Sequence, residues 1–280
     1  MTKRQPRNFV IAKLVDMDNS GTDSAKAYLH ALEDSLRAVG RSNRRFVQIE
    51  GFDIFIDEAS AAYFLSYAVP TMSTHWHRSI QTLVETFSQY QRQTRLEYFH
   101  ELHPELKVEL EKAGFVQAMR APVMALVKDK LVRYDDLKQG RYYQLTYKDE
   151  AELEKALRYQ SLAYGGNGDD GALVWFDSMI KGLKTGSLMV GLLEYSGDLV
   201  SGASVQIGGA IGELAGVWTH PDKQNRGFAF ELCHHLLEDY FRRHNLCWLS
   251  AAEGAQRLYK KLGFEVIGTQ FNYEIHFSEH

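Results

Sequence analysis

The second half of the chain alternates regularly between apolar and polar positions. An acidic start followed by apolar residues at helical spacing predicts a helix over 149–164, and a second helical stretch covers 172–186. Residues 187–209 alternate as two strands joined by a turn at Ser196-Gly197-Asp198. The remaining predicted elements are strands at 141–147, 211–220, 246–252, 264–270 and 271–277 and helices at 227–244 and 254–263. This order predicts an α/β fold with a mixed sheet and helices on both faces.

The first half repeats part of this order. Gly114-Phe115 lies 149 residues before Gly263-Phe264, and the surrounding apolar patterns are similar. The two halves match in apolar pattern more than in residue identity. The alternative to a duplication is therefore that the first half is an unrelated α/β domain that ends in a common Gly-Phe turn. We interpret the repeat as an internal duplication, with domains at 1–128 and 141–280 and a charged linker at 129–140.

Composition narrows the class of protein. The chain has 280 residues, 36 acidic residues against 32 Lys and Arg, and a formal net charge of -4, which argues against a nucleic-acid partner. No apolar run has the length of a secretory signal or a membrane span, so a cytoplasmic protein without a membrane partner is expected. Cys233 and Cys247 are too few for a disulfide framework, and we expect both to be small buried hydrophobic residues.

The candidate chemistry lies in the hexapeptide QNRGFA at 224–229. It follows a predicted strand and opens a predicted helix, where free backbone N–H groups at the positive end of the helix dipole can bind a phosphate. Gly227 permits close approach of the backbone to a ligand, and Arg226 can add a charged contact. Taken alone, the hexapeptide fits an ordinary surface turn better than a ligand site.

The flanking residues favour the ligand site. VWTHPDKQNRGFA at 217–229, followed by an amphipathic helix, resembles the acetyl-CoA motif of the GNAT N-acetyltransferase superfamily. AQRLYKKLGF at 255–264 matches the A-x-x-L-Y-x-x-x-G-F signature of the same superfamily. The resemblance covers 141–280 and implies a GNAT fold there; with the repeat, it implies a tandem of two GNAT-like domains, the first degenerate.

The resemblance also implies how acetyl-CoA is bound as the co-substrate. The strand that ends near Thr219 would separate from the strand at 246–252, leaving a gap for the pantetheine arm, and a backbone N–H there would polarise the thioester carbonyl. The N–H groups of the 224–229 loop would hold the pyrophosphate. The implied binding residues are Val217, Trp218, Thr219, Gln224, Asn225, Arg226, Gly227, Phe228 and Ala229.

Two side chains are candidates for proton transfer. Tyr259 occupies the superfamily's usual general-acid position, where a phenol protonates the departing CoA thiolate; the alternative is an aromatic residue that only packs in the core. Glu213 lies 11 residues before Gln224, the separation of the catalytic glutamate in histone-type members, and is the expected base. Glu253, on the opposite strand end, is the alternative base. Ala252 departs from the family pattern, because many members have Asn there.

The first half lacks this chemistry. At the 149-residue offset, Gln224 and Gly227 correspond to His75 and Arg78, so one acetyl-CoA is expected per chain, in the second half. We expect no metal site. His100 and His103 share a helix face without an evident third ligand, and His234 and His235 are neighbours in a helix, where adjacent side chains point apart.

These features predict a CoA-dependent N-acyltransferase that transfers acetyl from acetyl-CoA to a primary amine. Direct attack in a ternary complex is expected, because no cysteine lies at the loop or at the strand ends. The alternative is a non-catalytic acyl-CoA-binding sensor or scaffold. The acceptor is a small-molecule or peptide amine, and a homodimer is left open. The acidic stretch at 165–171, with Asp169 and Asp170, would suit a cationic acceptor.

Overall fold

The chain passes twice between two structural units. The structure, a computed structural model, describes residues 21–73, 75–134 and 140–275. The first unit comprises Met1–Val123 together with Val266–His280, and the second comprises Met124–Glu265. The second unit is therefore inserted in the sequence of the first.

The first unit contains a sheet with helices packed against it. Its described elements are α1 (Gly21–Asn43), β1 (Arg45–Ile49), β2 (Phe52–Ile56), β3 (Tyr67–Pro70), α2 (Trp76–Gln89), β4 (Arg95–Phe99), α3 (Leu106–Lys112), the start of β5 (Val116–Val127) and nearly all of β11 (Glu265–Glu274). Helix α2 buries Ile80, Leu83 and Phe87 along one face, the spacing of an amphipathic helix. None of the described helices combines the length and the apolar composition that crossing a membrane requires.

The second unit has the mixed α/β architecture that the sequence predicts. Its described elements are the end of β5, β6 (Arg141–Gln144), α4 (Glu150–Ala163), α5 (Phe176–Thr185), β7 (Leu188–Tyr195), β8 (Asp198–Gly208), β9 (Ile211–Thr219), α6 (Phe228–Phe241), β10 (Leu246–Ser250) and α7 (Gln256–Leu262). The strands lie in the order β5-β10-β9-β8-β7-β6. Helix α6 contributes to one apolar cluster of this unit, and α4 contributes to another.

The units differ from the predicted domains at both boundaries. The prediction placed residues 266–280 in the second domain, but β11 pairs antiparallel with β4 of the first unit, with Gln270 opposite Phe99. Residues 264–270 and 271–277, predicted as two strands, are largely one continuous strand. The end of β5 belongs instead to the second unit, where Met124 and Leu126 are buried. Residues 135–139 of the predicted linker lie outside the described residues.

The predicted repeat has a local counterpart in both units. Helix α3 is followed by Gly114 at φ +85° and then by β5, and helix α7 is followed by Gly263 at φ +103° and then by β11. Both glycines are in the left-handed region, which suits the residue after a helix C-terminus. The likeness is one of local structure, and the duplication itself remains a prediction.

The strand assignment can be tested with Met124. We expect Met124→Ala to lower the free energy of unfolding of the second unit by about 2–5 kcal/mol, because it removes a fully buried side chain from that core. Urea unfolding followed by tryptophan fluorescence reports mainly on this unit, which contains three of the four tryptophans, Trp175, Trp218 and Trp248.

The matched control is Val116→Ala on the same strand. Val116 is half exposed and lies in the first unit, so a change within about 0.5 kcal/mol is expected. Equal effects of the two substitutions would contradict the assignment of the end of β5 to the second unit.

Candidate functional site

Strand β9 changes register in its middle. Gly202 of β8 lies opposite Trp218, whereas Ser204 lies opposite Ala215, so β9 carries one extra residue between these pairs. Gly216, inside this bulge, has φ +61°, a left-handed conformation that glycine adopts without steric cost. Beyond the bulge, Val217 packs against the cluster that contains α6, and Trp218 is buried in the cluster that contains α4.

The far end of β9 separates from β10. The parallel pairing of the two strands runs from Ile211 opposite Leu246 to Glu213 opposite Trp248, and within the described chain no later pair joins them. Strand β9 continues along β8 as far as Thr219, which lies opposite Ser201. A gap therefore opens beside the last residues of β9, as the family resemblance implied.

A cavity of about 770 Å³ lies at this end of the second unit. It brings together three features that are separate in sequence: the end of β9, the 224–229 loop and helix α7. Its lining residues are Tyr134, Val217, Trp218, Thr219, Gln224, Asn225, Gly227, Phe228, Ala229, Phe230, Ala255, Arg257, Leu258, Tyr259 and Lys261. All of the predicted acetyl-CoA-binding residues except Arg226 are among them.

The 224–229 loop turns sharply before α6 begins. Asn225 at φ +62° and Gly227 at φ +86° both adopt the left-handed conformation, and Gly227 is the N-cap residue of α6. As a glycine, Gly227 has no side chain with which to cap this helix end. The first N–H groups of α6, at Phe228 and Ala229, therefore lie at the cavity at the positive end of the helix dipole, an arrangement suited to an anion.

Two basic residues of α7 add positive charge that the sequence analysis did not identify. Arg257 and Lys261 line the cavity and are one helical turn apart, with Tyr259 between them in sequence. Both lie two residues from Tyr259 in the sequence, and this proximity to the predicted acid could have indicated them. Arg226, which was predicted to add the charged contact, is exposed and is not among the lining residues.

Tyr259 lies at the cavity wall with 8% of its surface exposed. Its ring contacts Phe264 edge to face, at 6.0 Å between centroids, within the cluster that contains Cys233. Burial raises the pKa of the phenol above its usual value, and the nearby Cys233 and Tyr164 act in the same direction. The side chain is thus a core aromatic residue whose phenol is held protonated at the cavity wall, and its role as an acid remains a prediction.

The candidate bases lie farther away. Glu213 is half-buried near the start of β9 and is not among the cavity-lining residues. Val217 lies four positions farther along β9, about 13 Å in an extended strand. Glu253 is exposed and does not line the cavity either. The structure therefore brings Tyr259 and the loop together but leaves both carboxylates at a distance, and the role of Glu213 remains a prediction.

Two hydroxyl groups fix the end of β9, and neither was predicted. The Tyr164 hydroxyl donates to the carbonyl oxygen of Val217 at 3.0 Å. The Ser201 hydroxyl donates to the carbonyl oxygen of Trp218 at 2.5 Å. These contacts join α4 and β8 to the residues beyond the bulge. They cannot be found from the pattern of β9 alone, because both donors are distant in sequence.

The cysteines and the acidic loop take no part in the cavity lining. Cys233 and Cys247 are fully buried, and burial raises the pKa of the Cys233 thiol to about 12 and also raises that of Cys247. The Asp169 carboxylate accepts from the Gly171 N–H at 2.9 Å and from the Asn167 amide at 2.8 Å. Asp169 therefore stabilises its own turn, an alternative to the predicted contact with a cationic acceptor.

Comparison with known proteins assigns this unit to a family. Residues 153–264, which include the whole cavity lining except Tyr134, match the model of the acetyltransferase (GNAT) family. No curated protein matches the chain.

Solved structures share the fold over more of the chain. A GCN5-related N-acetyltransferase from Kribbella flavida aligns with a TM-score of 0.75 at 19% identity, over 89% of this chain and 96% of that one. A conserved protein of unknown function from Staphylococcus epidermidis gives a TM-score of 0.63 at 12% identity, over 83% and 94%. A GCN5-related N-acetyltransferase from Sphaerobacter thermophilus gives 0.56 at 16% identity, over 80% and 76%.

At these identities the structural likeness shows the fold, and the family match rests on the segment that carries the cavity. The predicted GNAT fold is confirmed, whereas the degenerate first copy is not tested. Residues 153–264 form a domain of the GNAT acetyltransferase family.

Proposed function

We propose that the chain is a CoA-dependent N-acyltransferase that transfers acetyl from acetyl-CoA to a primary amine. The observation that carries this proposal is the cavity of about 770 Å³, which is lined together by an uncapped helix N-terminus, the free end of β9 and the Tyr259 phenol. An acyl-CoA needs an anion site, a groove for its pantetheine arm and an acid for its leaving thiolate. The three features supply these in one place.

The phosphates bind at the loop. N–H groups of residues 225–229 point to the pyrophosphate, and the left-handed Gly227 leaves the space next to them without a side chain. Arg257 and Lys261, which also line the cavity, supply positive charge for the anionic phosphates.

The thioester lies beside the end of β9. The pantetheine arm occupies the gap left where β9 and β10 cease to pair, along Val217 and Thr219. A backbone N–H beyond the bulge polarises the thioester carbonyl as negative charge develops on its oxygen. The carbonyl oxygens of Val217 and Trp218 already accept hydrogen bonds from Tyr164 and Ser201, which holds this backbone in position.

The transfer proceeds by direct attack in a ternary complex. The amine nitrogen forms a bond to the thioester carbon, the carbon–sulfur bond breaks, and the departing sulfur takes the proton of the Tyr259 phenol. The proton lost by the amine passes to a base, for which Glu213 requires connecting water molecules because of its distance along β9. Neither cysteine offers a nucleophile, since both thiols are buried and held protonated by burial.

The direct test is thiol release from acetyl-CoA with a panel of primary amines, including polyamines, amino acids and peptides. We expect at least one amine to release free CoA, with its acetylated product identified by mass spectrometry. Binding of acetyl-CoA without turnover on any amine would support the sensor or scaffold instead. Failure to bind acetyl-CoA would contradict both.

The raised pKa of Tyr259 predicts the alkaline side of the pH profile. The protonated phenol is favoured in the folded protein, so the acid form persists as the pH rises past the ordinary tyrosine pKa of about 10. With the best amine, we expect kcat to rise to a plateau as the pH increases. We expect no decline from that plateau until the pH exceeds about 10. Circular dichroism at each pH separates a loss of acid from unfolding. A fall with a midpoint below about pH 9 in folded protein would contradict the acid role.

A further inference from the structure

Three potential metal ligands meet on the surface of helix α6. One ligand atom from each of His234, His235 and Glu238 lies within 4.8 Å of the other two. The Nδ1 atoms of both histidines are 3.5 Å from the same carboxylate oxygen, Oε2 of Glu238. Among the described residues, these three are the His, Cys, Asp or Glu side chains whose ligand atoms come this close together as a group of three.

The tautomer of His234 leaves a lone pair directed into the cluster. Its Nε2 lies 2.9 Å from the carbonyl oxygen of Val132, which can only accept, so Nε2 carries the hydrogen. In neutral imidazole, Nδ1 is then an acceptor. This Nδ1 is buried and makes no hydrogen bond within the described chain, although only 3% of the residue is exposed. An acceptor nitrogen and a carboxylate oxygen that face each other are both satisfied when a positive charge lies between them, either a metal ion or the proton of an imidazolium.

Helix geometry explains why this group was not expected from the sequence. Neighbouring residues of a helix point apart, and on that basis His234 and His235 were not expected to act as a ligand pair. Glu238, however, follows His234 by four residues and His235 by three, and both spacings place side chains side by side. The carboxylate lies between the two rings and joins them. The ring of His235 is further held by stacking on Tyr142 at 5.2 Å.

We propose that His234, His235 and Glu238 bind one divalent transition-metal ion with the ligand preference of Zn²⁺. Two imidazoles and one carboxylate are a known zinc ligand set, with the fourth position open to water. In a tetrahedral zinc site the ligand atoms are about 3.3–3.5 Å apart, which the two Nδ1–Oε2 distances of 3.5 Å already approach. The half-exposed Glu238 side chain gives the ion access from solvent.

The hydrogen bond to Val132 has the form of an outer-shell contact. A ligating histidine typically donates its other N–H to a carbonyl or carboxylate, which fixes the ring and its tautomer. Tyr134, two residues beyond Val132, contacts the His234 ring edge to face at 6.1 Å and lines the large cavity. A bound ion would therefore stabilise the segment that carries Tyr134, independently of any catalytic step.

The test uses the untagged full-length chain, because tag histidines bind the same ions. In a calorimetric titration with Zn²⁺, we expect one high-affinity equivalent per chain. Substituting Co²⁺ should give the visible absorption bands of a four- or five-coordinate ion. We expect Glu238→Gln and His235→Gln each to weaken Zn²⁺ binding at least tenfold and to abolish the bands. Both side chains are accessible, so folded variants are expected, and thermal unfolding without metal checks this.

The control is His77→Gln, which removes an exposed helical histidine of the first unit and should leave Zn²⁺ affinity unchanged. Excess Zn²⁺ should also raise the Tm of the wild-type chain more than that of Glu238→Gln. Equal Zn²⁺ affinity of wild-type and Glu238→Gln would overturn the proposal. So would the absence of a stoichiometric equivalent, which would leave an ordinary His–Glu ion pair.

Discussion

Tyr259→Phe is expected to lower kcat by about 100- to 10,000-fold while the Kd for acetyl-CoA stays within about twofold of wild type. The substitution removes the proton that the leaving thiolate needs and keeps the ring that packs against Phe264. Steady-state thiol release gives kcat, and calorimetry gives the Kd. The separation of the two constants is the signature of a group that acts in the transition state.

Tyr147→Phe is the matched control for this experiment. Tyr147 is exposed in the same unit and does not line the cavity, so its loss of a hydroxyl should change neither constant. If Tyr259→Phe keeps wild-type turnover at an unchanged Tm, the phenol is only a core aromatic residue. A large fall in Tm would instead assign the loss of activity to packing.

Gly227→Val is expected to weaken acetyl-CoA binding by about 100-fold or more, which is about 2.7 kcal/mol. A valine at φ +86° is strained, and its branched side chain would project at the N-terminus of α6, where the N–H groups of the 224–229 loop are proposed to contact the pyrophosphate. Calorimetric titration with acetyl-CoA measures the loss. Free CoA should lose affinity by the same factor, since it carries the same pyrophosphate.

Backbone strain alone is controlled with Gly197→Val. Gly197 has the same φ of +86°, lies in the β7–β8 turn, and a Cβ added there meets nothing within 4 Å. Both variants should lose similar stability, but only Gly227→Val should lose acetyl-CoA affinity. Parallel losses of affinity would show that strain in this unit, rather than occlusion of the loop, controls binding.

The second unit could be predicted from the sequence to a large extent, because its signals are local. The helical period over α4, the turn at Gly197 and the paired motifs around Gly227 and Tyr259 each lie within one short stretch of chain. The mixed fold and the place of eight of the nine predicted binding residues follow from them. The loop conformation agrees as well, since glycine is favoured at the φ of residue 227.

What could not be predicted depends on contacts between residues that are distant in sequence. The sequence pattern of β11 predicts a strand but not its neighbour. Its pairing with β4, which the structure shows, assigns it to the first unit. Tyr164 and Ser201 hold the end of β9 through single hydrogen bonds that no periodic pattern encodes. The distance from Glu213 to the cavity likewise depends on where the cavity opens along β9, whereas the motif spacing gives only a count of residues.

The insertion of the second unit within the first reverses the usual order of folding during synthesis. Multidomain chains generally complete their N-terminal domain first as they leave the ribosome. Here every residue of the second unit, through Glu265, is made before β11, whose Phe271 and Tyr273 belong to the core of the first unit. The part of the first unit that is made before the second unit therefore keeps some of its apolar surface exposed until β11 has been synthesised. Chaperone demand during translation should accordingly arise from the residues of the first unit that precede the second unit in the chain.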